Sequence, residues 1–285
     1  MIDIEFLDEL QNFQLALSKH SEERSQGEQS SGFTGSGMIF KDHKQYAPGD
    51  DIRRIDWKAY ARTNDYFVKR FEEEKNLTIH ILLDRSSSMD YGTPTKYDYG
   101  GKIGMAVADM AMNTNDRFRF SVFSETITDI SAGRRNSNLP EIIDTLNELR
   151  KTPESKVERC LTEYANRIKN KSAVVIISDF LTDLDEIESG VEGLKDTDVV
   201  LVNVLDEEEI DPSFEGDTIL KDPESESKLR TYLSQRTKKQ YQEELESHQT
   251  QIREIANSQG AKYVPVSTGD DIFESLLEVW RAVNQ

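Results

Sequence analysis

Two short apolar runs in this 285-residue chain end abruptly at an aspartate. The first, LTIHILL from Leu77 to Leu83, stops at Asp84 and is followed by Ser86, Ser87 and Ser88. The second, VVIIS from Val174 to Ser178, stops at Asp179. Runs this continuous suit strands covered on both faces of a parallel sheet. In an open α/β sheet, ligands collect outside the carboxyl ends of the strands, above all where strand order reverses. Asp84-x-Ser86-x-Ser88 thus offers one carboxylate and two alternating hydroxyls, all hard oxygen donors, at a favoured place for a small divalent cation. If the two strands are neighbours, Asp179 shares a crevice with Asp84. Such a pair is costly unless something positive lies between. Mg²⁺ meets that need, because it takes about six oxygen ligands and usually keeps several waters. A further ligand should come from a loop between the strands, where Thr152 and Ser155 stand. The competing reading is structural: both aspartates cap the helices after their strands, Thr152 or Ser155 caps another, and the serines are turn residues.

Elements able to position these groups are legible downstream of residue 76. Strands are expected at 77–83, 117–123, 174–178, 199–205 and 261–266, with a short hairpin partner at 126–130. Helical spacing marks 99–113, 139–149, 157–168, 184–194, 231–258 and 272–283. This alternation implies an α/β fold, a mostly parallel sheet joined by right-handed crossovers. An acidic insert at about 206–230, read as a hairpin, interrupts it. From Asp183 to Ser227 seventeen carboxylates stand against Lys195 and Lys221 alone. The expected organisation is an N-terminal part, 1–75, packed on a main domain, 76–285. The N-terminal part begins with a docking helix carrying Ile4, Leu7, Leu10, Leu15 and Leu17, followed by a polar loop and an arm. In that arm, Lys41 to Arg70 holds eight Lys and Arg against five Asp. Arg53, Arg54 and Arg62 there read either as a basic docking surface or as partners of Asp50, Asp51 and Asp56 in an internal ion-pair network. Trp57 and Tyr60 read as packing residues.

The formal net charge is −19 and the sequence pI about 4.7. Such a surface repels phosphate backbones and anionic lipid, so neither nucleic acid nor a membrane surface is an expected partner. Cys160 is the one cysteine; no internal disulfide can form, which suits a reducing compartment. The opening residues lack a charged-then-apolar leader pattern, and no run approaches the roughly 18 apolar residues a membrane span needs. A cytoplasmic location is expected. The four histidines, His20, His43, His80 and His248, show no metal-binding spacing. No Walker-type, HExxH or Gly-x-Ser-x-Gly pattern occurs.

Asp84-Arg85-Ser86-Ser87-Ser88-Met89 together with Ile177-Ser178-Asp179 resembles the von Willebrand factor type A fold and its metal-ion-dependent adhesion site. The upstream segment is more specific. Tyr46-x-Pro48-Gly49-Asp50-Asp51-x-Arg53-x-Ile55-Asp56-Trp57, then Ala61-Arg62, then Phe71-x-x-Glu74, resembles the domain of unknown function 58 family. The resemblance implies a central parallel sheet flanked by helices and a Mg²⁺ site held by Ser86 and Ser88 directly, and by Asp84 and Asp179 directly or through water. Ser155 is the best match to the position where the fold usually carries Thr. A partner's carboxylate often completes such a shell. The resemblance further implies a non-enzymatic adaptor or co-chaperone working with a MoxR-type AAA+ ATPase or its client. Two other functions fit the residues: a metal-dependent phosphatase with Asp84 as nucleophile, and a metal-free scaffold. The phosphatase would ordinarily need a second carboxylate two residues on, where this chain has Ser86.

Overall fold

Apolar side chains on consecutive strand positions can be buried only if both faces of the sheet are covered, and helices on each face do this here. The computed structural model describes residues 1–25, 38–47, 55–63, 65–73, 77–131, 138–149, 155–213, 216–221 and 228–284. The chain begins with α1 (Phe6–Ser25), β1 (Met38–Gln45), α2 (Trp57–Thr63) and β2 (Phe67–Glu73). Next come β3 (Thr78–Asp84), α3 (Lys96–Asn113), β4 (Arg117–Phe123), β5 (Ile127–Asp129), α4 (Leu139–Glu148) and α5 (Val157–Ala165). They are followed by β6 (Ser172–Ser178), α6 (Leu184–Glu192), β7 (Asp198–Leu205) and the short α7 (Glu207–Ile210). A hairpin of β8 (Gly216–Lys221) and β9 (Lys228–Leu233) precedes α8 (Gln235–Ser258), β10 (Lys262–Ser267) and α9 (Ile272–Asn284).

The chain forms two compact units, residues 1–18 with 77–285, and residues 19–76. In the smaller unit β1 pairs antiparallel with β2. Asp56 starts α2 by accepting the Ala59 amide at 3.2 Å.

In the larger unit six strands lie in the order β10-β7-β6-β3-β4-β5, all parallel except β5. From β3 the chain moves to β4 on one side, then crosses back to β6 on the other. Strand order therefore reverses between β3 and β6, which makes the crevice at their carboxyl ends the switch point of the sheet. Their register pairs Leu83 with Ile177, so Asp84 comes level with Ser178 and Asp179 follows one residue beyond, at the mouth of the same crevice.

Side chains alternate across the sheet. Ile79, Ile81, Leu83, Val175 and Ile177 face α3, α4 and α9 in one core cluster. Leu82, Val174 and Ile176 face α5, α6 and α8 in the other. His80 points into the second layer, where its Nδ1 lies 2.9 Å from the Tyr164 hydroxyl. Glycines let α3 approach the sheet closely. A Cβ at Gly100 would meet Ile177 at 2.8 Å, and one at Gly104 would meet Phe120 at the same distance.

Three expectations need correction. The buried stripe of the N-terminal helix and its lead-in is Ile2, Phe6 and Leu10, whereas Ile4 and Leu15 are exposed. The helix after the serine loop starts at Lys96, not Tyr99, because the Thr95 hydroxyl caps it by accepting the Asp98 amide. Trp57, read as a packing residue, is 58% exposed. The hairpin expected within 206–230 is present as β8–β9, after the short α7.

Phe6 stacks on Phe273 at 6.3 Å and lies under Lys102. Phe6→Ala should lower unfolding free energy by about 3–5 kcal/mol. Ile4→Ala should change it by less than about 0.5 kcal/mol. Urea unfolding of the two variants checks this contrast.

Candidate functional site

The end of β3 presents Asp84 at 2% exposure, with Ser86 and Ser88 buried beside it on a short 3₁₀ turn. Asp84 Oδ1 accepts the Ser86 amide at 2.8 Å. Its Oδ2 accepts the Ser178 hydroxyl at 2.7 Å and the Ser155 hydroxyl at 3.3 Å. Ser86 Oγ and Ser88 Oγ are 2.9 Å apart. These groups, with Asp179 and Thr182, line a cavity of about 20 Å³, room for about one water-sized occupant.

Neither aspartate caps a helix. Asp84 turns back onto Ser86, while Asp179 Oδ1 accepts the Leu181 amide at 3.2 Å. Thr95 caps α3, and the residue at the N-cap position of α6 is Asp183, without a side-chain cap bond. Ser155 does not cap α5 either; that position is Lys156, and the serine hydroxyl goes to Asp84. Thr152, Arg53 and Arg54 lie outside the described residues. Arg62 is exposed in the last turn of α2. In that smaller unit Tyr60 stacks on Tyr66 at 4.6 Å.

The loop carrying Asp179 is held from several directions. Phe180 has φ +50°, a backbone region costly for a bulky residue. Its side chain is buried in the second core, and its carbonyl accepts His248 Nε2 at 2.9 Å. Asn203 Nδ2 donates to the Asp179 backbone carbonyl at 2.7 Å, while Asn203 Oδ1 accepts the Tyr263 hydroxyl at 2.8 Å. Asp179 cannot swing away without breaking this network.

Two charged residues that sequence reasoning missed complete the surroundings. Lys96, with no exposed side-chain surface, donates to Asp179 Oδ2 at 2.8 Å and to Glu209 Oε1 at 2.7 Å. Its own burial works against the charge, but Asp179 and Glu209 outweigh this and hold the ammonium above its ordinary value. One signal in the sequence points to it: a cation in the first turn of a helix opposes the macrodipole and needs a carboxylate nearby. Ser178 was also missed as a donor to Asp84. Lys96 is not among the residues lining the cavity. Among the described residues no cluster of three or more His, Cys, Asp and Glu could hold a metal. Any cation here would depend on hydroxyls beside the carboxylates, a hard-oxygen set of the kind Mg²⁺ takes.

Burial, and then the charge of Asp179, push Asp84 up to about 6; the bonds from Ser86 and Ser178 pull the other way without prevailing. A carboxyl raised on folding binds more protons in the folded than in the unfolded chain. Its penalty is therefore full above about pH 6, shrinks as pH falls and is gone below the unfolded value near 3.8. In chelated buffer at pH 7.5, Asp84→Asn should be more stable than the parent by on the order of 3 kcal/mol. That advantage should disappear toward pH 4. Thermal melts across this range check both sign and window.

No helix of the described residues is long and apolar enough to cross a membrane. The fold is α/β, a mostly parallel six-stranded sheet flanked by helices, the architecture that the sequence resemblance implied. A solved aerotolerance-related membrane protein from Bacteroides fragilis is similar with a TM-score of 0.49 at 13% identity, covering 73% of this chain and 98% of that one. BatB from Bacteroides thetaiotaomicron has a TM-score of 0.47 at 13% identity, covering 73% and 100%. Among curated relatives, Uncharacterized protein Rv1480 of Mycobacterium tuberculosis is 24% identical over 197 residues. That match takes in 67% of this chain and 62% of the relative, so the chain spans less than two thirds of the relative's length. A family model matches residues 42–251, and on that match the chain belongs to the family described as Protein of unknown function DUF58.

Proposed function

We propose that this chain is a non-enzymatic protein-binding module whose contact with its partner depends on a divalent cation, Mg²⁺ in the first instance. One observation carries the reading: Asp84, Ser86, Ser88, Ser155 and Asp179 line a single small cavity at the switch point of the sheet. When bound, the cation would supply an open coordination position for an oxygen ligand from outside the chain. Ser86 and Ser88 would offer their hydroxyls, Asp84 its charge, and Ser155 the remaining loop donor. Ser178, which also lines the cavity, donates to Asp84 Oδ2 and holds that carboxylate in place. The complementary chemistry on the partner is an exposed Asp or Glu side chain. The family resemblance points to a MoxR-type AAA+ ATPase, or a client delivered to one, as the protein carrying it.

The phosphatase alternative is weaker on the chain's own residues. Asp84 is buried and has hydroxyl and amide donors on both oxygens. These bonds blunt a carboxylate as a nucleophile, and Ser86 stands where an acid/base carboxylate would be needed.

Isothermal titration with Mg²⁺ should show binding to the wild type and at least about tenfold weaker binding to Ser86→Ala/Ser88→Ala, since two of about six oxygen ligands are lost. Neither protein should hydrolyse p-nitrophenyl phosphate. A mixture with a MoxR-type ATPase should form a complex that chelator dissolves and the double variant does not make. Turnover abolished by Asp84→Asn would instead establish the enzyme.

A further inference from the structure

A fully buried lysine beside a candidate cation site is itself a cation, and its placement is over-determined. Lys96 begins α3, and its amide donates to the Tyr91 carbonyl at 2.9 Å. Gly100 and Gly104 seat the helix tightly on the sheet, so the ammonium cannot follow a retreating backbone. Glu209, its second partner, is fixed as well. Its Oε2 accepts the Asp206 amide at 2.9 Å in a capping box, and Asp206 accepts the Thr268 hydroxyl at 2.6 Å. The result is a row, Asp179–Lys96–Glu209, in which one positive charge is shared by two carboxylates. Asp179 belongs to the cavity lining; Lys96 and Glu209 do not.

We propose that Lys96 is a positioning and charge-balancing residue for the cavity, and that its sharing between Asp179 and Glu209 sets how tightly a divalent cation is held there. This rests on the metal reading above. While Lys96 is present, much of the Asp179 charge is spent internally, because its Oδ2 is held by the ammonium. Among the described residues Asp84 is then the main charge without an ionic partner, so affinity stays low until a partner's carboxylate arrives. Glu209 draws Lys96 partly off Asp179, and losing Glu209 would give Asp179 the whole cation.

Two variants should therefore move affinity in opposite directions. Lys96→Met/Glu209→Gln removes the cation with its outer partner, keeping volume and formal charge balance, and should bind Mn²⁺ about tenfold more tightly than wild type. Glu209→Gln alone should bind it about threefold more weakly. Isothermal titration and electron paramagnetic resonance with Mn²⁺ read the affinity, and melting curves with and without Mn²⁺ read folding. A wild type below detection with a double variant that binds also supports the proposal. Wild-type binding intact, with both variants within twofold of it, would overturn the role of Lys96 and leave the metal site standing. No Mn²⁺ binding by any of the three proteins, and no shift in melting, would overturn both. Should the double variant not fold, Glu209→Gln decides alone, and unchanged affinity there overturns the proposal.

Discussion

Two carboxylates at the ends of adjacent, fully buried parallel strands repel each other in a place with little water to screen them. That constraint organises the top of this sheet. Asp84 and Asp179 are 2% and 3% exposed, so neither can shed its charge into solvent. The chain answers it differently on the two sides. Asp179 receives an internal ammonium from Lys96. Among the described residues Asp84 receives only neutral donors, from Ser86, Ser155 and Ser178, and burial leaves it near 6. An asymmetry of this kind leaves Asp84 as a buried carboxyl beside a small cavity lined by hydroxyls, the feature on which the proposed cation site rests.

The packing around the site exists to hold this asymmetry fixed. α3 lies close on the sheet through its glycines and delivers Lys96 to one face of Asp179. The strained backbone at Phe180, together with Asn203 and His248, holds the loop of Asp179 on the other. Buried ion pairs contribute little net stability once desolvation is counted, but breaking one by removing a single partner is expensive. Lys96 is accordingly better understood through what it does to the charge at the crevice than through stability.

Much of this arrangement could be read in the residues. Continuous apolar runs ending in Asp84 and Asp179 are a strong signal, because only strands covered on both faces tolerate them. The repeated βα pattern then made neighbours of the two strands a reasonable expectation. Hydroxyl spacing pointed to Ser86 and Ser88, while loop position left Thr152 and Ser155 open and only the family resemblance favoured Ser155. What stayed hidden depends on contacts between distant segments. Lys96 escaped notice because Thr95 caps α3 three residues earlier than apolar spacing suggests. Glu209 sat inside an acidic stretch where no single carboxylate stands out. At the N-terminus the expected stripe of Ile4, Leu7, Leu10, Leu15 and Leu17 shares Leu10 and the half-buried Leu7 with the packed face. Only packing on the core shows that Ile2 and Phe6 join them while Ile4 and Leu15 face out.

The central claim is that the space beside Asp84 takes a cation from outside, while the internal cation stays with Asp179. Anomalous diffraction from crystals soaked in Mn²⁺ tests it most directly. The account predicts a peak next to the Ser86 and Ser88 hydroxyls, with Lys96 still joined to Asp179 and Glu209. A map without a peak there, or with the Lys96 ammonium moved between the two aspartates, would contradict it.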